Sequence, residues 1–114
     1  MKEDIAGLLN LIQSKNMNFS GLIAFIEERY DHTPTAFRNG EVYNEASQNQ
    51  GSAKVLTFAK LNGLSEEDTL QLFAEHYEAV LATPEGTDHQ NIRQFMARGW
   101  EGVAFEGVAL KAKS

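Results

Sequence analysis

Apolar residues recur at helical spacing over the first part of the chain. Ile5, Leu8, Leu9 and Ile12 share one face from Glu3 to about Ser14, with Glu3 and Asp4 in the first turn, where the helix dipole favours acids; this predicts a first helix. Leu22, Ile23 and Ile26 repeat the pattern in a second helix from Asn18 to Tyr30. Asn18 is its predicted cap, Met17 at N′ is placed to staple Leu22 at N4, and Asp31-His32-Thr33-Pro34 ends it. The period then changes. Thr35–Arg38 and Glu41–Asn44 flank Asn39-Gly40, a pair that accepts the two positive φ values of a type I′ turn. Residues 35–44 therefore predict a hairpin in which Arg38 faces Glu41 and Phe37 faces Val42.

A third helix is expected from about Ser52 to Asn62 through Val55, Leu56, Phe58 and Ala59, with Gly63 as its C′ residue. Ser65 then caps a long fourth helix reaching about Ala82, whose first turn holds Glu66, Glu67 and Asp68. Its apolar face is Leu70, Phe73, Ala74, Tyr77, Val80 and Leu81, leaving Leu72, His76 and Ala79 on a flank that is either a modest contact surface or simply partly covered. After the turn Thr83-Pro84-Glu85-Gly86, Thr87 and Gln90 read as a capping box for a fifth helix that turns Ile92, Phe95 and Met96 inward and ends at Gly99. Val103–Phe105 and Val108–Leu110 flank Glu106-Gly107 as a second hairpin. The predicted architecture is α+β: about five helices packed on a small curved antiparallel sheet built from two hairpins (residues 35–44 and 103–110), in a single domain over 1–114.

Composition narrows the chemistry. With 114 residues and 42% apolar positions, one core can bury roughly two-thirds of the unfolded surface. The chain has no Cys, which excludes disulfides, thiolate metal sites and cysteine nucleophiles. A net charge of −6, with ten basic residues dispersed along the chain, opposes a phosphate backbone, so no nucleic-acid partner is expected. No apolar run approaches the ~20 residues of a membrane span. No Gly-x-Ser-x-Gly elbow, Walker loop, dinucleotide fingerprint or His-Glu-x-x-His pattern occurs, and His32, His76 and His89 lack metal-ligand spacing. No cofactor or metal is therefore expected.

Three stretches together resemble the HopJ type III effector family of Gram-negative bacteria over nearly the whole chain: Phe37 to Ser65, Gly-Thr-Asp-His-Gln-Asn-Ile-Arg-Gln-Phe-Met at 86–96, and Gly-Trp-Glu-Gly-Val-Ala-Phe-Glu-Gly at 99–107. The resemblance implies a bacterial protein and, from the family name, export by type III secretion. Such export signals are typically flexible, Ser-rich and poor in acids, whereas Glu3 and Asp4 open an ordered helix here. A soluble, cytoplasmic protein is the expectation. Trp100, in the Gly-Trp-Glu-Gly landmark, is expected in the core with its indole N–H on a carbonyl.

Two segments concentrate polar chemistry. Asn44, Gln48, Asn49 and Gln50, with Ser52 and Lys54, offer amide donors and acceptors beside the single carboxylate of Glu45. Such groups can hold a peptide backbone, a sugar or a base edge, and a helix start near Ser52 adds free N–H groups for an anion, with Lys54 close by. Their alternative use is to tie the loop to its own backbone and cap the helix. Asp88, His89 and Arg93 form the second segment: a helix start carrying an imidazole and a guanidinium suits an anion or carbonyl, with His89 as donor or base. The alternative has Asp88 accepting backbone N–H groups while His89 packs beside Ile92. Ser52 and Lys54, at i and i+2, do not face each other as a nucleophile pair. Two functions follow: a binding or interaction module for a protein or a small polar ligand, or a small cofactor-free hydrolase or lyase with His89 as general base. The second requires His89 to lie within roughly 10 Å of the amide loop so that both reach one substrate; a deep pocket holding both segments favours the enzyme and a shallow surface the module.

Overall fold

Several helix ends in this chain are set by short-range side-chain and glycine chemistry. The computed structural model describes residues 2–113, with side chains from Ile5 onward. Helix α1 (Lys2–Gln13) buries Ile5, Leu8 and Ile12; the Glu3 and Asp4 side chains lie outside the described residues. Helix α2 (Phe19–Arg29) starts where Asn18 Oδ1 accepts the Gly21 N–H at 2.9 Å, as its sequence predicts, and buries Leu22 and Ile26. Helix α3 (Gln50–Leu61) begins two residues earlier than expected and contributes Val55, Leu56, Phe58 and Ala59 to the core. Its end is closed by Gly63 at φ +66°, with the Leu64 N–H donating to Ala59 O at 3.0 Å.

The expected long fourth helix is two helices, α4 (Glu66–Gln71) and α5 (Glu75–Ala82). Ser65 Oγ accepts the Asp68 N–H at 3.1 Å and starts α4 as predicted. The break has a packing cause: Leu72, Phe73 and Ala74 are consecutive and all buried. At about 100° per residue, a continuous helix would carry one of them toward solvent. Ala74 adopts φ +52°, ψ −123°, which turns the chain and keeps all three inside. Leu72 is thus core rather than flank, and Leu81, assigned to the apolar face, is 52% exposed. Helix α6 (Gln90–Arg98) buries Ile92 and Phe95 but leaves Met96 44% exposed, against expectation, and stops at Gly99. The capping box does not form: His89 is the cap residue, and Gln90 Nε2 donates to Thr87 O at 2.7 Å.

The strands are β1 (Tyr30–His32), β2 (Phe37–Asn39), β3 (Val42–Asn44), β4 (Val103–Phe105) and β5 (Leu110–Ala112). β2 and β3 form the first hairpin in a different register, with Phe37 opposite Asn44, Arg38 opposite Tyr43 and Asn39 opposite Val42. The two-residue loop is Gly40-Glu41. Gly40 has φ +61° while Glu41 does not have positive φ, which is the type II′ pattern with glycine at its first central position. Asn39 is left in the strand, wholly buried. The second hairpin is also corrected, because β4 and β5 do not pair with each other. β4 pairs with β2, giving a sheet ordered β3-β2-β4, and β5 pairs with β1 in a separate sheet. Pairing on β2 lets Phe105 stack on Phe37 with centroids 4.7 Å apart, a contact that a local β4–β5 hairpin would forgo. The α+β class holds, as six helices and two small antiparallel sheets among the described residues. Trp100, in a 3-10 turn over Gly99–Gly102, lies edge-on to Phe95 and donates Nε1–H to Leu64 O at 3.3 Å, as expected.

A cleft between three helix starts

The residue preceding each of α3, α5 and α6 is a non-glycine at positive φ: Asn49 at +51°, Ala74 at +52° and His89 at +50°. None of the three supplies a side-chain cap to its helix. Asn and His tolerate this left-handed region better than most side chains, whereas for Ala it costs of order 1–3 kcal/mol. All three helix starts border one cleft of about 430 Å³. Asn49, Gly51 and Ser52 line it from the α3 side, and His89, Gln90 and Asn91 from α6. Phe73 and His76 line it from the break and α5, and Phe19 closes it from α2.

The aromatic wall is continuous. Phe19 stacks parallel to Phe73 at 6.1 Å and meets the edge of His76 at 4.7 Å. His76 in turn lies 4.9 Å from His89, ring centre to ring centre. Of the three histidines, only His32 has a hydrogen-bond partner among the described residues, Gln50 Oε1 at 3.1 Å. The carboxylate nearest His89 is Asp88 Oδ2, at 3.9 Å.

Beneath the cleft a buried asparagine network joins its two polar walls. Asn44 Oδ1 accepts from Asn49 Nδ2 at 2.7 Å and from Asn91 Nδ2 at 3.0 Å. Asn44 Nδ2 donates back to Asn91 Oδ1 at 3.1 Å and to Phe37 O at 3.4 Å. Asn39 Nδ2 donates to Asn91 O at 2.8 Å and Asn91 Oδ1 at 3.1 Å. The β2–β3 hairpin thereby fixes the residue that starts α3 and the second residue of α6 relative to one another. This is why Asn39 serves the strand rather than the turn.

Asn49, Ser52 and His89 therefore meet in the cleft, and the other sequence candidates lie elsewhere. Asn44 is buried in the network at 1% exposure. Gln48 Oε1 accepts the Glu45 N–H at 3.1 Å, and Gln50 locks the loop through Thr35 N–H, Thr35 O and Gln48 O. Lys54 points to α2, where its Nζ lies 2.7 Å from Glu27 Oε2; that hydrogen bond holds the Glu27 carboxyl below its ordinary value. Arg93 closes the 83–88 turn by donating to Thr83 O, Pro84 O and Asp88 O. Its bond to Asp88 Oδ1 at 2.7 Å lowers the Asp88 pKa. Arg93 consequently borders a second, apolar groove with Leu81 and Met96 rather than the cleft of His89.

The sequence places His76 on a candidate contact flank and gives Asn91 no site role. The available signal for His76 was the apolar triplet Leu72-Phe73-Ala74, which no single helix face can bury. For the α3 and α6 starts it was an Asn and a His placed directly before a helix. Among the described residues no group of three or more His, Asp or Glu side chains is arranged to hold a metal ion. Among the described residues, too, no helix is long and apolar enough to cross a membrane.

A model for the HopJ type III effector protein family matches residues 6–110. A solved structure described as the crystal structure of unknown function protein VPA0580 superposes with a TM-score of 0.86 at 47% identity, covering 95% of this chain and 92% of that one. No curated protein matches the chain.

Proposed function

The chain belongs to the HopJ type III effector protein family, and from that premise we propose that it is a binding module whose recognition surface is the cleft between the starts of α3, α5 and α6. One observation carries this reading: two polar segments some forty residues apart, 49–52 and 89–91, converge with His76 on a single cleft. Its volume of about 430 Å³ falls within the range of small-ligand sites. Its lining combines an aromatic wall with convergent polar groups, the usual division between bulk affinity and orientation. Nuclear magnetic resonance titration with a metabolite library tests it. Saturable shifts are expected at Gly51, Ser52, His76 and His89 to Asn91; saturable shifts confined to other surfaces would refute the assignment.

A second reading, a hydrolase or lyase with His89 as general base, gains one specific support, because His89 shares the cleft with Asn49 and Ser52. The binding reading is preferred because among the described residues neither imidazole has an orienting carboxylate at hydrogen-bond distance: Asp88 is engaged by Arg93 and stands 3.9 Å from His89. Recovery of a bound ligand chemically unchanged after prolonged incubation supports binding, and conversion of it supports the enzyme.

A further inference from the structure

We infer that the ligand of this cleft carries an oxyanion, a carboxylate or a phosphate ester, held between His76 and His89, on an apolar or aromatic body seated against Phe19 and Phe73. The inference rests on the binding reading and specifies its ligand.

Charge is the first argument. The chain has 16 acidic residues and a net charge of −6, yet among the described residues the cleft lining contains no Asp or Glu. Glu75 and Asp88, on the adjoining elements, are each engaged through one carboxylate oxygen, and Asp88 Oδ2 stands 3.9 Å from His89 Nε2. Glu75 Oε1 accepts the Phe19 N–H at 2.7 Å, and Asp88 is bound by Arg93. A cation would therefore find no counter-charge in the lining, and burying an unpaired charge is costly. An anion would find the imidazole N–H groups and the uncapped starts of α3 and α6.

The imidazole pair is the second. The two rings are 4.9 Å apart and tilted by 37°. Two hydrogen bonds of about 2.8 Å to one anionic group span such a gap. Each neutral imidazole has one N–H to donate and each protonated one has two, so both states can serve an acceptor. The starts of α3 and α6 add to the same field, since both end in the cleft without a side-chain cap and present their positive dipole ends to it. The parallel Phe19 and Phe73 rings form the apolar side of the same cleft.

The test is titration of the full chain, followed by amide and imidazole shifts, with four probes that share a phenyl body: benzoate, its neutral isostere benzamide, phenyl phosphate and the cation benzylamine. At least tenfold tighter binding of benzoate or phenyl phosphate than of benzamide is expected, with shifts at Gly51, His76, His89 and Asn91. The relative affinity of the two anions separates the carboxylate from the phosphate source. His76→Phe keeps an aromatic ring against Phe19, and His89→Asn keeps a residue that tolerates positive φ; each should weaken the better anion about tenfold while benzamide binding is unchanged. Because the two variants perturb different helices, loss of fold in one leaves the other decisive. Benzamide or benzylamine binding in the cleft as tightly as the anions would overturn the inference while leaving the binding reading intact. Silence of the cleft to all four probes, with library binders acting only at other surfaces, would overturn both. Anion binding that appears only after zinc is added would also overturn it, by assigning the imidazoles to a metal.

Discussion

Asn44→Asp replaces one atom of a side chain that is 1% exposed and joins both polar walls of the cleft. The oxygen that accepts from Asn49 and Asn91 survives, but both donated bonds, to Asn91 Oδ1 at 3.1 Å and Phe37 O at 3.4 Å, are lost. Two acceptors then face a new acceptor. A buried group left unpaired costs about 1–3 kcal/mol, and breaking a buried charged or polar pair about 3–5 kcal/mol. A deficit of about 3–5 kcal/mol at neutral pH is therefore expected, a large share of the ~5–15 kcal/mol typical of a small domain. The pH dependence identifies the cause. Burial and facing acceptors raise the new carboxyl above the ~3.9 of an unfolded Asp, so between the two values the native state binds more protons than the unfolded one. The deficit should shrink as pH falls through the raised value, because a protonated carboxyl can donate to Asn91 Oδ1 again. Urea unfolding of both proteins, followed by Trp100 fluorescence between about pH 7.5 and pH 5, measures it. A deficit below about 1 kcal/mol, or one that widens on acidification, would refute the network's role.

Three further outcomes follow from the same geometry. Gly99→Ala places a methyl group against the Glu66 carboxylate that accepts the Trp100 N–H at 3.0 Å, at φ +62° and ψ −152°, a region essentially reserved for glycine; a loss of about 3 kcal/mol or more is expected in denaturant titration, and one under about 1 would contradict it. Gly40→Val combines positive φ with crowding by Gln94 Cβ at 3.1 Å and Arg98 Cδ at 3.2 Å, and displaces the Gln94 oxygen that accepts the Glu41 N–H; about 2–4 kcal/mol should be lost, lowering the melting temperature by roughly 10 °C, and an unchanged melting temperature would show the turn has been misread. Lys54→Met removes the hydrogen bond that lowers the Glu27 pKa. Since a depressed carboxyl contributes stability above its unfolded pKa and loses it as pH falls through the folded one, the variant's small deficit, about 0.2–1 kcal/mol for a pair with one largely exposed partner, should shrink as acidification protonates Glu27; a deficit that does not change on acidification would argue against the pair.

Chemistry that acts within one turn was legible in the sequence. Asn18 on Gly21, Ser65 on Asp68, and glycines at positive φ after α3 and α6 involve partners a few residues apart, so residue type and spacing carry the information. The same holds for the presence of a tight turn at 39–42 and for the expectation that Trp100 needs a carbonyl. Within the site, the sequence supplied Asn49, Ser52 and His89 as polar residues near helix starts, but it gave no distance between the two segments.

What only the tertiary structure decided depends on partners far apart in the chain. Tyr30 pairs with Ala112 and Phe37 with Phe105, contacts whose benefit appears only after the intervening helices have packed; a local rule therefore favours the nearby but incorrect β4–β5 hairpin. Asn39 carries strong turn propensity, yet its amide is wholly buried and bonded to Asn91, and that tertiary demand moves the turn by one position, so that Phe37 pairs with Asn44, two residues beyond the expected Val42. Leu72, Phe73 and Ala74 must all be buried, which breaks a helix that capping and periodicity would otherwise continue. That break sets His76 beside His89, so the cleft owes its two imidazoles to core packing and not to any motif around either residue.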